Sequence, residues 1–133
     1  MRSRCSSARE WSNAVETAVG RYGRLDVLAN CAGNREPNRF SLEETTEEFW
    51  DQVMDVHARG TFLGMKHAVP RMRDSGGGSI VNISSVLGMV GQAGRTAYVA
   101  AKGAVRLMSK AVAIQYARDC RTSAKMGHIW ARN

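Results

Sequence analysis

Two short apolar runs, each trailed by a long stretch with helical periodicity, constrain this chain more than any other feature. Leu25-Asp26-Val27-Leu28-Ala29-Asn30 and Ser79-Ile80-Val81-Asn82-Ile83-Ser84 are bounded by glycines and turn residues. Runs of that length and β-branched content read as buried parallel strands. Ahead of the first, residues 7–22 read as an amphipathic helix, with Trp11, Ala14, Val15, Ala18 and Val19 at steps of three and four and Gly20 and Gly23 as the stop. A polar loop over 34–41, containing Pro37, leads into a long helix over about 43–73. Thr45 or Thr46 caps it, and Glu47 and Glu48 lie near its positive end. Gly60 and Gly64 fall inside it, and Pro70 removes one backbone bond near its end. Gly76-Gly77-Gly78 break the chain before the second strand, and a Gly-rich loop, Gly88 to Gly94, precedes a helix over 96–117. From Asp119 the periodicity stops, so residues 119–133 are expected to be an irregular tail. Strands alternating with helices imply βαβ units, hence an α/β fold with a parallel sheet. Two parallel strands leave both sheet edges open, so residues 1–118 are expected to be part of something larger.

Composition excludes several function classes. Hydrophobic residues make up 44% and charged residues 23% of the chain, which is ordinary globular usage. No apolar run approaches the ~18–20 residues that span a bilayer, and no apolar stretch follows the basic N-terminus, so neither a membrane partner nor a secretory signal is expected. Cys5, Cys31 and Cys120 are an odd set without CxxC spacing. They imply no disulfide framework and no metal site, and the expected setting is reduced and cytoplasmic. The net charge is +7. It gathers at the two ends, in Arg2, Arg4 and Arg9 and in Arg118, Arg121, Lys125 and Arg132. A basic nucleic-acid-binding protein is therefore the remote alternative, because the centre of the chain lacks clustered cations with interleaved aromatics.

Chemistry concentrates between Ser85 and Lys102. Tyr98 and Lys102 are four residues apart at the start of a helix and share one face. Ser85 stands just past the end of a strand, so a strand–loop–helix arrangement can bring all three to the carboxyl edge of the sheet, where α/β folds bind ligands. An ammonium beside a phenol favours the phenolate, which can exchange a proton with an alcohol or carbonyl. A serine hydroxyl can hold the same oxygen. No side chain donates hydride, so carbonyl chemistry at such a trio needs a nicotinamide.

The company these residues keep resembles the short-chain dehydrogenase/reductase family. Asn30-Cys31-Ala32-Gly33 resembles that family's Asn-Asn-Ala-Gly motif, and Gly78-Ser79-Ile80-Val81-Asn82-Ile83-Ser84-Ser85 its strand ending in the catalytic serine. Tyr98-Val99-Ala100-Ala101-Lys102 is similar to its Tyr-xxx-Lys signature, and Asp55-Val56-His57-Ala58-Arg59-Gly60 to its helix segment with a catalytic Asn. The resemblance implies a partial Rossmann-like, doubly wound parallel sheet, of which two strands and three helices are evident. It implies an NAD(P)-dependent oxidoreductase interconverting a secondary alcohol and a ketone. Tyr98 would be the general acid/base, Lys102 its partner and the holder of the nicotinamide ribose, and Ser85 the group orienting the substrate. His57 would occupy the catalytic Asn position, and Asn30, Ala32 and Gly33 would lie with Tyr98 and Lys102 along the cofactor, NAD or NADP. The two long helices resemble those that pair across the family's dimer axis, so a homo-oligomer is expected.

The departures from the family shape the remaining expectations. These residues contain no Gly-rich pyrophosphate loop after a first strand, and Gly88 to Gly94 has GxxGxxG rather than GxGxxG spacing. After Asp119, Arg121-Thr122-Ser123-Ala124-Lys125 does not match the family's next strand. The chain is therefore expected to be a fragment from a truncated or frame-shifted gene, lacking the N-terminal βα units and the C-terminal strands, and weak or inactive by itself. A non-catalytic chain acting only in self-association is the second reading.

Overall fold

The computed structural model of the chain describes residues 6–34 and 39–117 and the backbone of 120–126 and 129–130. Helix α1, Ala8–Tyr22, begins where the Ser7 hydroxyl accepts from the Glu10 N–H at 3.4 Å, and it ends at Gly23, whose N–H donates to the Val19 carbonyl at 2.7 Å. Both caps satisfy backbone groups that a helix end leaves without partners. Strand β1, Val27–Asn30, pairs in parallel with β2, Gly78–Ile83, with Val27 opposite Ser79 and Asn30 opposite Asn82.

The segment expected as one helix over 43–73 is three pieces. Helix α2, Glu47–Met54, is capped by Thr46, whose hydroxyl accepts from the Phe49 N–H at 3.2 Å. A five-residue π-helical turn, Asp55–Arg59, follows, and α3 runs through Gly60–Asp74 with Pro70 inside it. Residues 42–44 form a turn because side chains there satisfy the backbone locally. The Ser41 N–H donates to the Glu44 carboxylate at 2.8 Å and the Thr45 hydroxyl donates to the Ser41 carbonyl at 2.9 Å, which competes with helix formation. Helix α4, Thr96–Gln115, matches expectation.

The irregular tail expected over 119–133 is instead partly strand. Strand β3, Cys120–Met126, adds in parallel to β2, and β4, Ile129–Trp130, adds antiparallel to β3, giving the order β1-β2-β3-β4. Cys-Arg-Thr-Ser-Ala-Lys-Met has no apolar pattern to announce a strand. The open backbone edge of β2 supplies the pairing instead, since ladder bonds do not depend on side-chain type. Residues 118–119, 127–128 and 131–133 of that expected tail lie outside the described residues.

Helices α1, α3 and α4 gather on the sheet face that carries Leu28 and Ile80. There Val15, Met65, Ala68, Val69 and Met72 form one core cluster, with Trp11, Met108 and Val112 packed against it. A second, smaller cluster joins Val53 of α2 to Ala97 and Ala101 of α4, with Phe49 and Tyr98 against it. On the other face Val27 and Ala29 are exposed. Gly64 in α3 explains one glycine the helical pattern does not. A Cβ there would stand 2.5 Å from the Asn30 side-chain oxygen and 3.1 Å from the Trp11 ring, so its absence lets α3, β1 and α1 meet.

A polar chain crosses this core. The Asn30 amide donates to the Asn82 side-chain oxygen at 2.8 Å, the Asn82 amide donates to the Ser109 hydroxyl at 2.8 Å, and that hydroxyl donates to the Val105 carbonyl at 2.7 Å. The second Asn82 N–H points to the Met65 sulfur at 3.2 Å. Asn82 is wholly buried, so each of these groups depends on the others for its hydrogen bonds. Replacing Asn82→Ala strands the Asn30 amide and is expected to destabilise the fold by about 2–3 kcal/mol. Urea unfolding should show a lower midpoint at unchanged slope.

Candidate active site

The carboxyl ends of β1 and β2 carry the residues that the motifs single out. Strand β2 ends at Ile83, and Ser84 and Ser85 lead into a short 3-10 turn, Val86–Gly88, where the Leu87 N–H donates to the Ser85 hydroxyl at 3.2 Å. That turn packs on the start of α4, which presents Tyr98 and, one turn later, Lys102. The Lys102 side chain is 5% exposed, and its ammonium donates to the Ile83 carbonyl at 2.8 Å. The same ammonium lies 5.6 Å from the centre of the Tyr98 ring. On the other side of Tyr98, the His57 ring meets it edge to face, with centroids 5.3 Å apart and planes at 88°.

The π-helical turn is what presents His57 here, because a wide turn moves a side chain off the face a regular α-helix would give it. The ring is 2% exposed. Gly33 faces it: a Cβ on Gly33 would stand 2.8 Å from His57 Cε1, so only glycine fits this close approach. Neither His57 ring nitrogen has a hydrogen-bond partner of acceptable geometry among the described residues.

Tyr98, Lys102, His57 and Gly33 are thus in mutual contact or one contact apart, and Ser85 sits on the turn packed against them. Asn30 behaves differently from the motif expectation of a group facing a cofactor, since its amide donates inward to Asn82. Cys31 and Ala32 are exposed at the strand end. Three residues that sequence reasoning passed over are structurally central: Asn82, Ser84 and Ser109. The signal for the first two is present in the strand. Ile80, Asn82 and Ser84 are spaced by two, so polar groups share the buried face with an apolar one.

Electrostatics follows from burial. Loss of hydration pushes the Lys102 ammonium below its ordinary range, while the nearby Cys31 sulfur opposes that shift. His57 is pushed down to about 4, first by burial and then by the Lys102 ammonium, with the Asn34 backbone acting weakly in the other direction. The imidazole is therefore neutral at neutral pH.

The sequence matches the family model described as short chain dehydrogenase over residues 3–124. The chain belongs to the short-chain dehydrogenase family. It is 44% identical over 111 residues to the 2,5-dichloro-2,5-cyclohexadiene-1,4-diol dehydrogenase of Sphingobium indicum, covering 84% of this chain and 44% of that protein. It is 40% identical over 114 residues to a cyclopentanol dehydrogenase from Comamonas, again with 84% and 44% covered. Among solved structures, a short-chain dehydrogenase from Streptomyces avermitilis superposes with a TM-score of 0.82 at 32% identity, over 92% of this chain and 44% of that one. The chain spans less than half the length of these relatives. No helix among the described residues is long and apolar enough to cross a membrane.

The residues present fit the nicotinamide end of a dinucleotide. An ammonium has three N–H groups, and Lys102 spends one on Ile83, leaving donors for ribose hydroxyls at the sheet edge.

His57 also gives the fold a pH dependence with a definite sign. The unfolded side chain takes up a proton near 6.5, and the folded one does so only near 4. The unfolded state therefore binds more protons between those values, and stability falls as pH drops from about 6.5 to about 4. The loss from this residue is about 2–3 kcal/mol. Urea unfolding across that window should show a steeper decline for the unmodified chain than for His57→Asn.

Proposed function

We propose that this chain carries the acid–base half of an NAD(P)-dependent dehydrogenase site, interconverting a secondary alcohol and a ketone. The observation that carries the reading is the buried Lys102 ammonium, bonded to the Ile83 carbonyl at the sheet edge and 5.6 Å from the Tyr98 ring centre. In the oxidative direction Tyr98 accepts the proton of the substrate hydroxyl at its phenolic oxygen. Ser85 hydrogen-bonds the same substrate oxygen and orients it. Lys102 would donate to the nicotinamide ribose, and the exposed strand end at Cys31 and Ala32, with Gly33, would border the cofactor. When bound, the nicotinamide supplies hydride transfer, which no side chain can perform. His57 packs beside Tyr98 as a neutral ring and sets the ring's orientation. The names of the relatives, a ring-bearing diol dehydrogenase and a cyclopentanol dehydrogenase, make cyclic secondary alcohols the substrate class to assay first.

The chain is also proposed to self-associate through α3 and α4. An apolar groove between them is lined by Phe62, Met65, Val69, Val112 and Tyr116, and Phe62 is 47% exposed. Covering such a groove removes apolar surface from water. Sedimentation should give a species larger than the monomer, and Phe62→Glu should shift it toward the monomer without loss of helix content.

Turnover of cyclopentanol with NAD or NADP, followed by reduced-nicotinamide absorbance, tests the main reading. Tyr98→Phe should lower it about 100-fold or more, the usual weight of a positioned proton donor. Equal rates in the two proteins would end the assignment.

A further inference from the structure

Strand β2 alternates so that Ile80, Asn82 and Ser84 lie on one buried face, directed at α4. Two of these positions are polar, and each bonds that helix. Asn82 donates to Ser109 at 2.8 Å, and the Ser84 hydroxyl donates to the main-chain carbonyl of Lys102 at 2.8 Å. Residues 102 and 109 are two helical turns apart, so both bonds fall on the same side of α4. A helix carbonyl has a second lone pair, and the Ser84 bond does not require α4 to break its own ladder.

The Ser84 bond has a counterpart in the opposite direction. While Ser84 holds the lysine's backbone, the neighbouring Ile83 carbonyl receives its ammonium at 2.8 Å. Two consecutive residues at the end of one strand thus grip both ends of one side chain. Gly88 closes the arrangement. A Cβ there would stand 2.7 Å from the Lys102 carbonyl oxygen and 2.8 Å from the Ser84 hydroxyl, so only glycine lets the turn that bears Ser85 rest against this bond. Ser84 is 5% exposed, which keeps water from competing for either partner.

We infer that Ser84 is a positioning residue, whose bond to the Lys102 carbonyl sets the register of α4 against the end of β2 and thereby the depth at which the Lys102 ammonium sits beneath Tyr98. The inference rests on the dehydrogenase reading of this site for its effect on turnover, and on geometry alone for its effect on Lys102. Without the Ser84 hydroxyl the backbone of α4 at Lys102 is no longer tied to the strand end, which holds that helix start only through the Lys102 ammonium on Ile83, and the ammonium gains access to water. The burial that lowers its proton affinity is then relieved.

The test uses the full chain carrying lysine labelled with carbon-13 at Cε, with the Lys102 signal assigned through Lys102→Arg and followed against pH. In Ser84→Ala the Lys102 midpoint should move up toward that of an ordinary lysine, while in Ser85→Ala it should stay where it is in the unmodified chain. Ser84→Cys keeps the shape with a weaker S–H donor and should fall between. In turnover assays Ser84→Ala should lower kcat by about five- to ten-fold, the weight of one buried hydrogen bond, with KM within about two-fold. A Lys102 midpoint that coincides in the unmodified chain and Ser84→Ala overturns the inference. If Ser84→Ala does not fold by circular dichroism, Ser84→Cys decides between the same two outcomes. Absence of turnover in the unmodified chain would defeat the dehydrogenase reading, and the Lys102 titration would still decide the role of Ser84.

Discussion

A single carboxamide out of reach of water holds this architecture to one arrangement. Asn82 sits where β1, β2, α3 and α4 meet, and its oxygen and its two N–H groups have partners on three different elements: Asn30, Met65 and Ser109. An apolar side chain of the same size would tolerate sliding of these elements past one another. An amide does not, since any slip leaves a donor or acceptor buried alone, at a cost comparable to a large share of a small domain's stability. The site inherits that rigidity, because β2 ends at Ile83, next to Asn82, and α4 passes Lys102 about two turns before Ser109.

The sequence made the frame legible where local and long-range demands agree. Two short apolar runs flanked by glycines became the parallel pair, and the helix expected over 96–117 spans Thr96–Gln115, because burial enforces its periodicity. Legibility failed where backbone groups rather than side chains decide. Strand β3 forms from a polar segment because a neighbouring strand offers an unpaired edge. The turn at 42–44 forms because Ser41, Glu44 and Thr45 capture the backbone ahead of the helix. For the site, the motifs named Ser85, Tyr98, Lys102 and His57, which lie close together past the carboxyl end of β2. They could not show that Asn30 turns inward, nor that Ser84, the less conspicuous of two adjacent serines, is the one bonded to the lysine's backbone. Both facts depend on which side of a strand faces a helix seventeen or more residues away.

His57 shows how a bulky ring is accommodated at a crowded site. Room for the imidazole comes from the missing Cβ of Gly33 and from edge-on packing against Tyr98. Its two ring nitrogens have no hydrogen-bond partner of acceptable geometry among the described residues, close to a lysine that is itself short of hydration. Two bases whose proton affinities are both depressed share one small volume, and the neutral state of the ring keeps the lysine's charge from meeting a second one.

The π-helical turn between α2 and α3 also has a geometric meaning. One surplus residue in a helix rotates everything beyond it by about 100° relative to an unbroken rod. On an unbroken rod Val53, which enters the smaller cluster, would face about 120° away from Met65 and about 100° away from Met72 of the larger. The wide turn takes up most of that angle, so α2 and α3 bury the same side of one nearly continuous rod while feeding two separate interiors. Removing a residue from it would turn the two buried sides apart and leave one of those interiors without its wall.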